Sequence, residues 1–376
     1  MAEGRSFADI ELTTRRLLLR PWRAEDASSV FEAMQHRQMH EFLSLPDPYT
    51  MQDAVSFVSE VANANRADRS GLGSAVVERA SGAVVGSADL RYSKTNLLGA
   101  DIGYAIYPPA QGNGYAAEAT RALTEWGHTQ GLNRIELRCA VTNLASAATA
   151  LAAGFAFEGL HRAQLRIPSG EVASACFARL AADSGDAIAP DFPRLGVLDD
   201  GVIGLRVVQP DDAEPFWEQD ADPESLRFGF RGHPASRDEV AAATGRAGLD
   251  WLVGSLASLA VVDKASGGFA GSVRLRMSGP PQVARVGYAT HPAFRGRGYA
   301  TRAVRLLAGW AFDVAGLVRL ELGAKIENIA SQRVALAAGF ATDGIRTARL
   351  RNADGSFSDE ARFALVRSQT VSRINP

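Results

Sequence analysis

The sequence contains few of the residues that mark disulfide-rich, metal-binding or nucleic-acid-binding proteins. It has two cysteines, Cys139 and Cys176, both in apolar stretches, which excludes a disulfide framework and favours reduced core residues. Six histidines show no metal-ligand spacing, so no metal site is predicted. The formal net charge of -2 gives no basic excess, and composition therefore does not support a nucleic-acid binder.

Long apolar runs are also absent. None reaches the roughly 18 to 20 residues that cross a membrane, and the stretch MAEGRSFADIE lacks the apolar core of a signal peptide. We therefore expect a cytoplasmic protein without a membrane partner, whose ligand is a small molecule or a peptide.

The chain instead contains a long internal repeat. AIYPPAQGNGYA returns as ATHPAFRGRGYA 184 positions later, and the earlier VVERASG returns as VVDKASG 185 positions later. Asn143 and Asn328 again lie 185 positions apart. A shared composition would not keep this register, and the period is too long for a solenoid. The sequence therefore predicts a tandem duplication of one whole domain.

The duplication divides the chain into two domains and a connecting segment. We predict an N-terminal domain over 1–182, a linker over 183–198 and a C-terminal domain over 199–376. The linker is rich in Ala, Asp, Pro and Gly and has no sustained apolar period. With 376 residues in total, each domain is long enough to bury its own core.

Periodicity predicts a mixed α/β order in each half. In the N-terminal half it indicates strands over 16–20, 74–78, 84–91, 100–106 and 134–141, and helices over 115–127 and 145–153. A loop and a helix thus follow a central strand. This order directs the N-terminus of a helix toward the carboxyl end of a strand, where ligands of α/β sheets bind.

The loop between that strand and that helix is rich in glycine in both halves. Glycine lets backbone N–H groups approach a ligand, and the first turn of a helix presents unpaired N–H groups at its positive end. Taken alone, such a loop is more often a simple turn. Its recurrence in the same context favours an anion site suited to a pyrophosphate.

These motifs together resemble one enzyme superfamily. A strand ending in Gly-Tyr, then Gln/Arg-x-x-Gly-x-Ala, then Asn-x-x-Ser and Gly-Phe is similar to the GNAT superfamily of acetyl-CoA-dependent N-acetyltransferases. TRRLLLRPW and LPDPYT in the first half resemble its ribosomal-protein alanine acetyltransferase (RimJ/RimL-type) group. The resemblance implies two tandem α/β (α+β) domains, each a mixed, mostly antiparallel sheet with helices on both faces.

The resemblance also implies a set of binding residues. Asn143 and Asn328 would hydrogen-bond the pantetheine arm, and Tyr49 would contact the acceptor. Arg295 and Arg297 give the second loop more positive charge, so we expect it to bind CoA at least as well as the first. The CoA pyrophosphate would be held by the loop residues Gln111, Gly112, Asn113, Gly114, Tyr115 and Ala116, and by Arg295, Gly296, Arg297, Gly298, Tyr299 and Ala300.

Acyl transfer to an amine needs a base for the amine and an acid for the departing thiolate. Asp101 matches the position of a glutamate base in many family members, although it is equally compatible with a solvated acid. The second half has Arg285 there, which cannot act as a base. Ser146 and Ser331 match a serine proposed as the acid, and the alternative is an N-cap of the following helix.

We therefore predict an N-acyltransferase that moves an acetyl group from acetyl-CoA to an amine of a peptide or small molecule. One alternative keeps the fold but uses a longer acyl group on CoA or on an acyl carrier protein. Another makes one copy a non-catalytic acyl-CoA sensor or scaffold, which Arg285 favours for the second half. The sequence leaves open a monomer, a homodimer or an internal pseudo-dimer.

Overall fold

The structure is a computed structural model in which the chain forms two compact units, Met1–Ala189 and Pro190–Pro376. The division between them falls within the segment predicted as a linker. The structure describes residues 7, 9–93, 98–190, 192–229, 231, 233–254, 256–352 and 354–367.

The N-terminal unit is built on one eight-stranded sheet. Its strand order is β1-β2-β3-β4-β5-β6-β8-β7, and neighbours are antiparallel except for the parallel pair β5 and β6. The strands are β1 (Leu12–Thr13), β2 (Leu17–Arg20), β3 (Gly71–Glu78), β4 (Val84–Tyr92), β5 (Gly99–Ile106), β6 (Arg134–Ala140), β7 (Ala156–Ile167) and β8 (Gly170–Leu180).

The C-terminal unit repeats this topology. Its order is β9-β10-β11-β12-β13-β14-β16-β15, and β13 and β14 form its parallel pair. The strands are β9 (Leu198–Asp199), β10 (Ile203–Val207), β11 (Ala257–Asp263), β12 (Phe269–Met277), β13 (Val283–Thr290), β14 (Arg319–Lys325), β15 (Ala341–Arg351) and β16 (Phe357–Val366). The predicted tandem fold with mixed, mostly antiparallel sheets is confirmed.

Helices connect the strands in the predicted order. The helices are α1 (Ala27–Met34), α2 (Met39–Phe42), α3 (Met51–Ser56), α4 (Ala64–Ala67), α5 (Tyr115–Thr129) and α6 (Leu144–Ala152) in the first unit, and α7 (Ala213–Ala221), α8 (Pro223–Phe228), α9 (Arg237–Leu252), α10 (Tyr299–Asp313) and α11 (Ile329–Ala337) in the second. A π-helical turn, Phe57–Val61, extends α3.

Alternating side chains give each sheet two faces, and helices cover both of them. In the N-terminal unit, α5 packs close to Leu90 and Ile135 on one face. On the other face, Ala75 and Val77 join a buried cluster with Val30 and other residues of α1 to α3. These helices cover only part of the second face. The next residues on the same side of β4 and β5, Asp89 and Asp101, are partly exposed.

A bidentate ion pair ties β2 to α1, and its counterpart recurs in the second unit. Arg20 donates from Nη1 and Nη2 to the two oxygens of Asp26 at 2.7 and 2.8 Å. Arg206 binds Asp212 in the same way at 2.6 and 2.7 Å. The Arg20 side chain is 7% exposed and the Arg206 side chain 40% exposed, so the first pair has much less access to water.

The two pairs should therefore differ in their contribution to stability. Asp26→Asn should lower the free energy of unfolding of the first unit by about 3 kcal/mol, because it leaves Arg20 charged and buried. Asp212→Asn should cost about 1 kcal/mol, because Arg206 can turn to water. Hydrogen exchange of the full chain in urea, read from the peptides of each unit, measures both values. Equal losses would contradict the dependence on burial.

Candidate functional site

The parallel strand pair separates in the middle of each sheet. β5 and β6 are paired only from Gly99 to Asp101 on β5, although β5 continues to Ile106. β13 and β14 are paired only from Val283 to Val286. Beyond these points the two strands diverge toward their carboxyl ends. Each sheet thus has a wedge-shaped opening whose edges carry backbone groups without a partner strand.

The glycine loops lie at the carboxyl ends of β5 and β13. Gly114 and Gly298 adopt a left-handed conformation with φ of 74° and are the N-caps of α5 and α10, which have no side-chain cap. The first helical hydrogen bonds are donated by the N–H groups of Glu118 and Arg302, at 3.1 and 3.2 Å. The three preceding amides of each helix therefore have no acceptor within the helix, which is the arrangement that binds anions.

Several predicted loop residues point their side chains into the protein. Gln111 donates from Nε2 to the carbonyl oxygen of Ile106 at 2.9 Å. The Tyr115 hydroxyl donates to Glu78, and that of Tyr299 donates to Asp263 at 2.7 Å. These contacts fix the loop to the neighbouring strands. The backbone amides of Tyr115 and Tyr299, rather than their side chains, are thus available to a phosphate, whereas the amide of Gln111 donates to the carbonyl oxygen of Pro108 at 3.3 Å.

The charged groups near the two loops differ from the pattern expected from the sequence. Arg295 forms ion pairs with Asp222 and Glu224, so its charge is partly neutralised within the protein. Arg297 lies over the ring of Phe294, 5.1 Å from its centre. The expectation that both arginines strengthen CoA binding thus depends mainly on Arg297.

The first loop receives a guanidinium that the sequence analysis missed. Arg16 donates from Nη1 to the carbonyl oxygen of Asn113 at 2.8 Å and from Nε to Glu118 at 2.7 Å. It comes from a position almost 100 residues earlier in the chain, just before β2. The two loops therefore both have an arginine close by, despite the difference between Asn113 and Arg297.

Asn143 and Asn328 cap the short helices that follow the wedges. Their Oδ1 atoms accept hydrogen bonds from the amides of Ser146 and Ser331 at 3.0 and 2.9 Å. The alternative interpretation of both serines as N-caps is therefore wrong, because the asparagine occupies that position and the serine is the third helical residue. The side-chain amides of both asparagines are left to interact with a ligand.

Each serine instead shares a hydrogen bond with the tyrosine of the Gly-Tyr motif. The hydroxyls of Tyr104 and Ser146 are 2.8 Å apart, and those of Tyr288 and Ser331 are 2.7 Å apart. Burial raises the pKa of both tyrosines, to about 12 for Tyr288. Both phenols therefore stay protonated at neutral pH. The sequence analysis did not assign these phenols a role, although the repeat keeps both residues of the pair.

Three carboxylates, Asp89, Asp101 and Glu136, lie on the partly open face of the first sheet, and Glu136 is bound by Arg134 at 2.7 Å. Asp101 accepts a hydrogen bond from Arg138 Nη2 at 2.8 Å. Asp89 lies on β4 opposite Gly103, and its Oδ2 is 2.9 Å from Arg91 Nε. Burial raises the pKa of Asp89, and Arg91 opposes this shift. Asp89 was not predicted as a site residue, although its alternation with Arg91 on a predicted strand was an available signal.

The corresponding face of the second sheet has different ion pairs. Arg285, at the position of Asp101, forms an ion pair with the fully buried Glu360. Gly323 leaves the room for this pair, because a Cβ there would collide with both side chains. Lys325 is buried and donates to the carbonyl oxygen of Arg227 at 2.9 Å.

A cavity of about 980 Å³ in the C-terminal unit joins the wedge, the loop and this charged face. Its wall includes Tyr288, Gly296, Gly298, Asn328, Ser331 and Arg285. The volume lies at the upper end of the range of small-molecule sites. Most of the residues predicted for the second half are thus brought together around one space.

Tyr49 was predicted to contact the acceptor. The structure places its ring in the core cluster with Trp22, Met34 and Tyr107, and burial raises the pKa of its hydroxyl. This position favours packing, and the acceptor contact stays a prediction. The described part of the chain holds no group of three or more metal-ligating side chains and no helix long and apolar enough to cross a membrane.

A loop that presents amides to an anion and opens onto a wedge between parted strands is suited, in an α/β domain, to a ligand that carries a phosphate. The acetyltransferase (GNAT) domain model matches residues 16–156 and 203–341. The chain therefore belongs to the GNAT family of acetyltransferases, and its class of activity is that of an N-acetyltransferase. Both matched regions contain one glycine loop and one Asn-x-x-Ser motif.

Individual relatives each match about half of the chain. The uncharacterized N-acetyltransferase YoaA of Bacillus subtilis is 27% identical over 152 residues, which are 40% of this chain and 85% of YoaA. Mycobacterium smegmatis RimJ, solved with a CoA-disulfide, is 23% identical with a TM-score of 0.41, over 49% of this chain and 93% of RimJ. The acetyltransferase MccE, solved with acetyl-CoA and AMP, is 20% identical with a TM-score of 0.41, over 44% of this chain and 93% of MccE.

Proposed function

We propose that the protein transfers the acetyl group of acetyl-CoA to a primary amine of a peptide or a small molecule. The main support is the combination, in both units, of an uncapped helix N-terminus and a wedge between two strands. The first feature suits a pyrophosphate, and the second suits a narrow arm that needs hydrogen bonds along its length. Membership of the GNAT family agrees with this donor.

The donor would be held chiefly by backbone groups. The amides of residues 112–116 and 296–300 would bind its pyrophosphate, since those of Gln111 and Arg295 donate to Pro108 and Pro292. Arg16 and Arg297 lie close to the two loops. The side-chain amides of Asn143 and Asn328 would donate to the pantetheine arm, because their Oδ1 atoms are already used in capping. Acetyl-CoA supplies the activated acyl group as a thioester.

The amine must lose a proton before it can attack. In the N-terminal unit, among the carboxylates on the face beside the wedge, we assign this role to Asp101 with Asp89 as its neighbour. Each is held by an arginine through one oxygen, which leaves the other oxygen to accept the proton directly or through a water molecule. The raised pKa of Asp89 increases its affinity for a proton.

The departing thiolate needs a proton in return. The hydroxyl pairs Tyr104–Ser146 and Tyr288–Ser331 could supply it, with the serine as the direct donor and the tyrosine replenishing it through their short hydrogen bond. Burial keeps both phenols protonated at neutral pH but also makes them weaker acids, so the tyrosine would have to regain its proton from solvent as the thiolate is protonated.

An acyl carrier protein as the donor is less well supported, whereas the glycine loops do not distinguish between acyl groups of different length on CoA. The phosphopantetheine of a carrier protein has no pyrophosphate to fill the glycine loop, yet both units keep that loop with the same left-handed glycines. The sensor alternative is restricted to the C-terminal unit, where Arg285 replaces the carboxylate.

The test is amine-dependent turnover of acetyl-CoA by the full chain. We expect release of the free CoA thiol in the presence of putrescine, with acetylputrescine detected by mass spectrometry. The matched control is the double variant Gly114→Trp, Gly298→Trp, in which both loops are blocked and release should cease. Tight binding of acetyl-CoA without turnover of any amine in a broad panel would contradict the enzyme and support a sensor.

A further inference from the structure

The two units carry different charges on the faces that would receive the acceptor. We compare six of the positions that the strand registers match on these faces; a further matched pair, Glu136 and Glu321, adds one acid to each face. In the N-terminal unit they are Asp89, Arg91, Asp101, Arg138, Ala140 and Ser174, which carry two acids and two bases. In the C-terminal unit they are Arg274, Arg276, Arg285, Gly323, Lys325 and Glu360, which carry four bases and one acid.

The extra bases of the second unit face the cavity. Arg274, Arg276, Arg285 and Lys325 all line it, together with the glycine loop and the Tyr288–Ser331 pair. The carboxylates cancel only part of these charges. Glu360 neutralises Arg285, while the nearest carboxylate to Arg274 is Asp220, at 3.9 Å. The remaining lining acid, Glu224, is paired with Arg295 at the loop.

The positive groups are close enough to influence one another. Burial lowers the pKa of Arg274, as do Arg276 and Arg231, and Asp220 opposes this effect. Burial also lowers the pKa of Lys325. Positive groups that lose hydration and repel each other are stabilised by an anion placed between them.

We propose that the C-terminal unit acts on an amine that also carries an anionic group, a carboxylate or a phosphate, whereas the N-terminal unit acts on a cationic amine. This inference rests on the proposed acetyl transfer. Guanidinium groups bind carboxylate and phosphate oxygens through paired hydrogen bonds, and Arg274 and Arg276 lie two residues apart on one strand and so share a face. The acceptor's anionic end would lie on these two residues.

The same charges help to explain how an amine could react where Asp101 is replaced by Arg285. An ammonium group bound beside several positive side chains has a lower pKa than in water, because like charges disfavour its charged form. Its proton can then be lost to solvent, and less help is needed from a protein base. Those positive side chains that the acceptor's anionic end leaves unpaired would thus replace part of the function of the missing carboxylate.

The test compares three four-carbon amines of different charge in full-length chains with one loop blocked. In the Gly114→Trp chain, which retains the C-terminal donor loop, kcat/KM for γ-aminobutyrate should exceed that for putrescine by about tenfold or more, with 4-amino-1-butanol between them. O-phosphoethanolamine serves as the phosphate counterpart. In the Gly298→Trp chain the order should be reversed.

Two variants then locate the anion site. Arg274→Gln with Arg276→Gln, in the Gly114→Trp chain, should abolish the preference and leave acetyl-CoA binding unchanged, because neither residue belongs to the glycine loop. The Arg285–Glu360 pair is kept, so no buried carboxylate is left alone. Arg246→Gln, which removes the same charge on α9 outside the cavity lining, is the control and should have no effect.

Binding measurements separate this inference from the proposed function. Calorimetric titration of γ-aminobutyrate and O-phosphoethanolamine into the CoA-saturated Gly114→Trp chain does not require turnover. Binding that is lost with Arg274→Gln and Arg276→Gln supports the inference even if no amine is acetylated. A Gly114→Trp chain that acetylates putrescine as well as both anionic amines would overturn the inference and leave acetyl transfer intact.

Discussion

Replacing Asp89 and Asp101 together by asparagine, in a chain whose second loop carries Gly298→Trp, should lower kcat for acetylation of putrescine at least a hundredfold at neutral pH. General base catalysis contributes about 10²- to 10⁴-fold to such reactions. Asparagine keeps the size and one oxygen of the aspartate but cannot take up a proton. The measurement is the initial rate of CoA thiol release at several putrescine concentrations.

The pH dependence provides an internal check on this result. At high pH the amine loses its proton without help, so the difference between the double variant and its parent should shrink as the pH rises. At low pH the parent should lose activity as its carboxylates become protonated, and for Asp89 this occurs at a higher pH than for a free aspartate. A constant ratio of rates over the whole pH range would contradict the role of a base.

The single variants show which of the two carboxylates acts as the base. If Asp101 is the base, Asp101→Asn should account for most of the loss in kcat, while Asp89→Asn should mainly raise KM for the amine. The opposite distribution would make Asp89 the base. Calorimetry with acetyl-CoA is the control, since neither residue belongs to the glycine loop and donor affinity should stay the same. Unchanged kcat in both single variants and in the double variant would exclude this face from catalysis.

The sequence was sufficient to predict the strands, the helices and the loops that bear the site, because each has a local signal. Apolar alternation indicated β4 and β5, and the internal repeat predicted that the loop around Gly298 has the same structure as the loop around Gly114. A glycine that must adopt a positive φ before a helix leaves a recognisable pattern. The duplication made these local signals stronger than they would be in a single copy.

The side-chain contacts that set the charge around the glycine loops could not be predicted in the same way, because they join distant parts of the chain. The partners of Arg295, Asp222 and Glu224, precede it by 73 and 71 positions, and Arg16 reaches Asn113 across 97. The choice between Asn143 and Ser146 as the helix cap depends on three residues of register, which propensity does not resolve because both residue types are favoured caps. The ion-pair partners of the charged residues at the site could therefore be identified only from the structure.

The second large expected effect is the loss of acetyl-CoA binding, which can be measured for each unit independently. Gly114→Trp and Gly298→Trp should each remove one of two acetyl-CoA sites from the chain, and the double variant should bind none. Both glycines have a φ of 74° and lie where the loop amides meet the helix, so an indole there would fill the space of the pyrophosphate. Isothermal titration calorimetry gives the stoichiometry directly.

The matched controls are Gly114→Ala and Gly298→Ala. They place a residue with a Cβ in the same left-handed backbone conformation, but the methyl group is too small to block the loop. A left-handed alanine costs about 1 to 2 kcal/mol, which a unit of typical stability tolerates. At Gly298 an added Cβ meets no atom within 4 Å, and at Gly114 it comes within 3.6 Å of Arg16 Nη2. Both alanine variants should therefore fold and keep two sites. Retention of two sites in both tryptophan variants would mean that the glycine loops do not hold the donor.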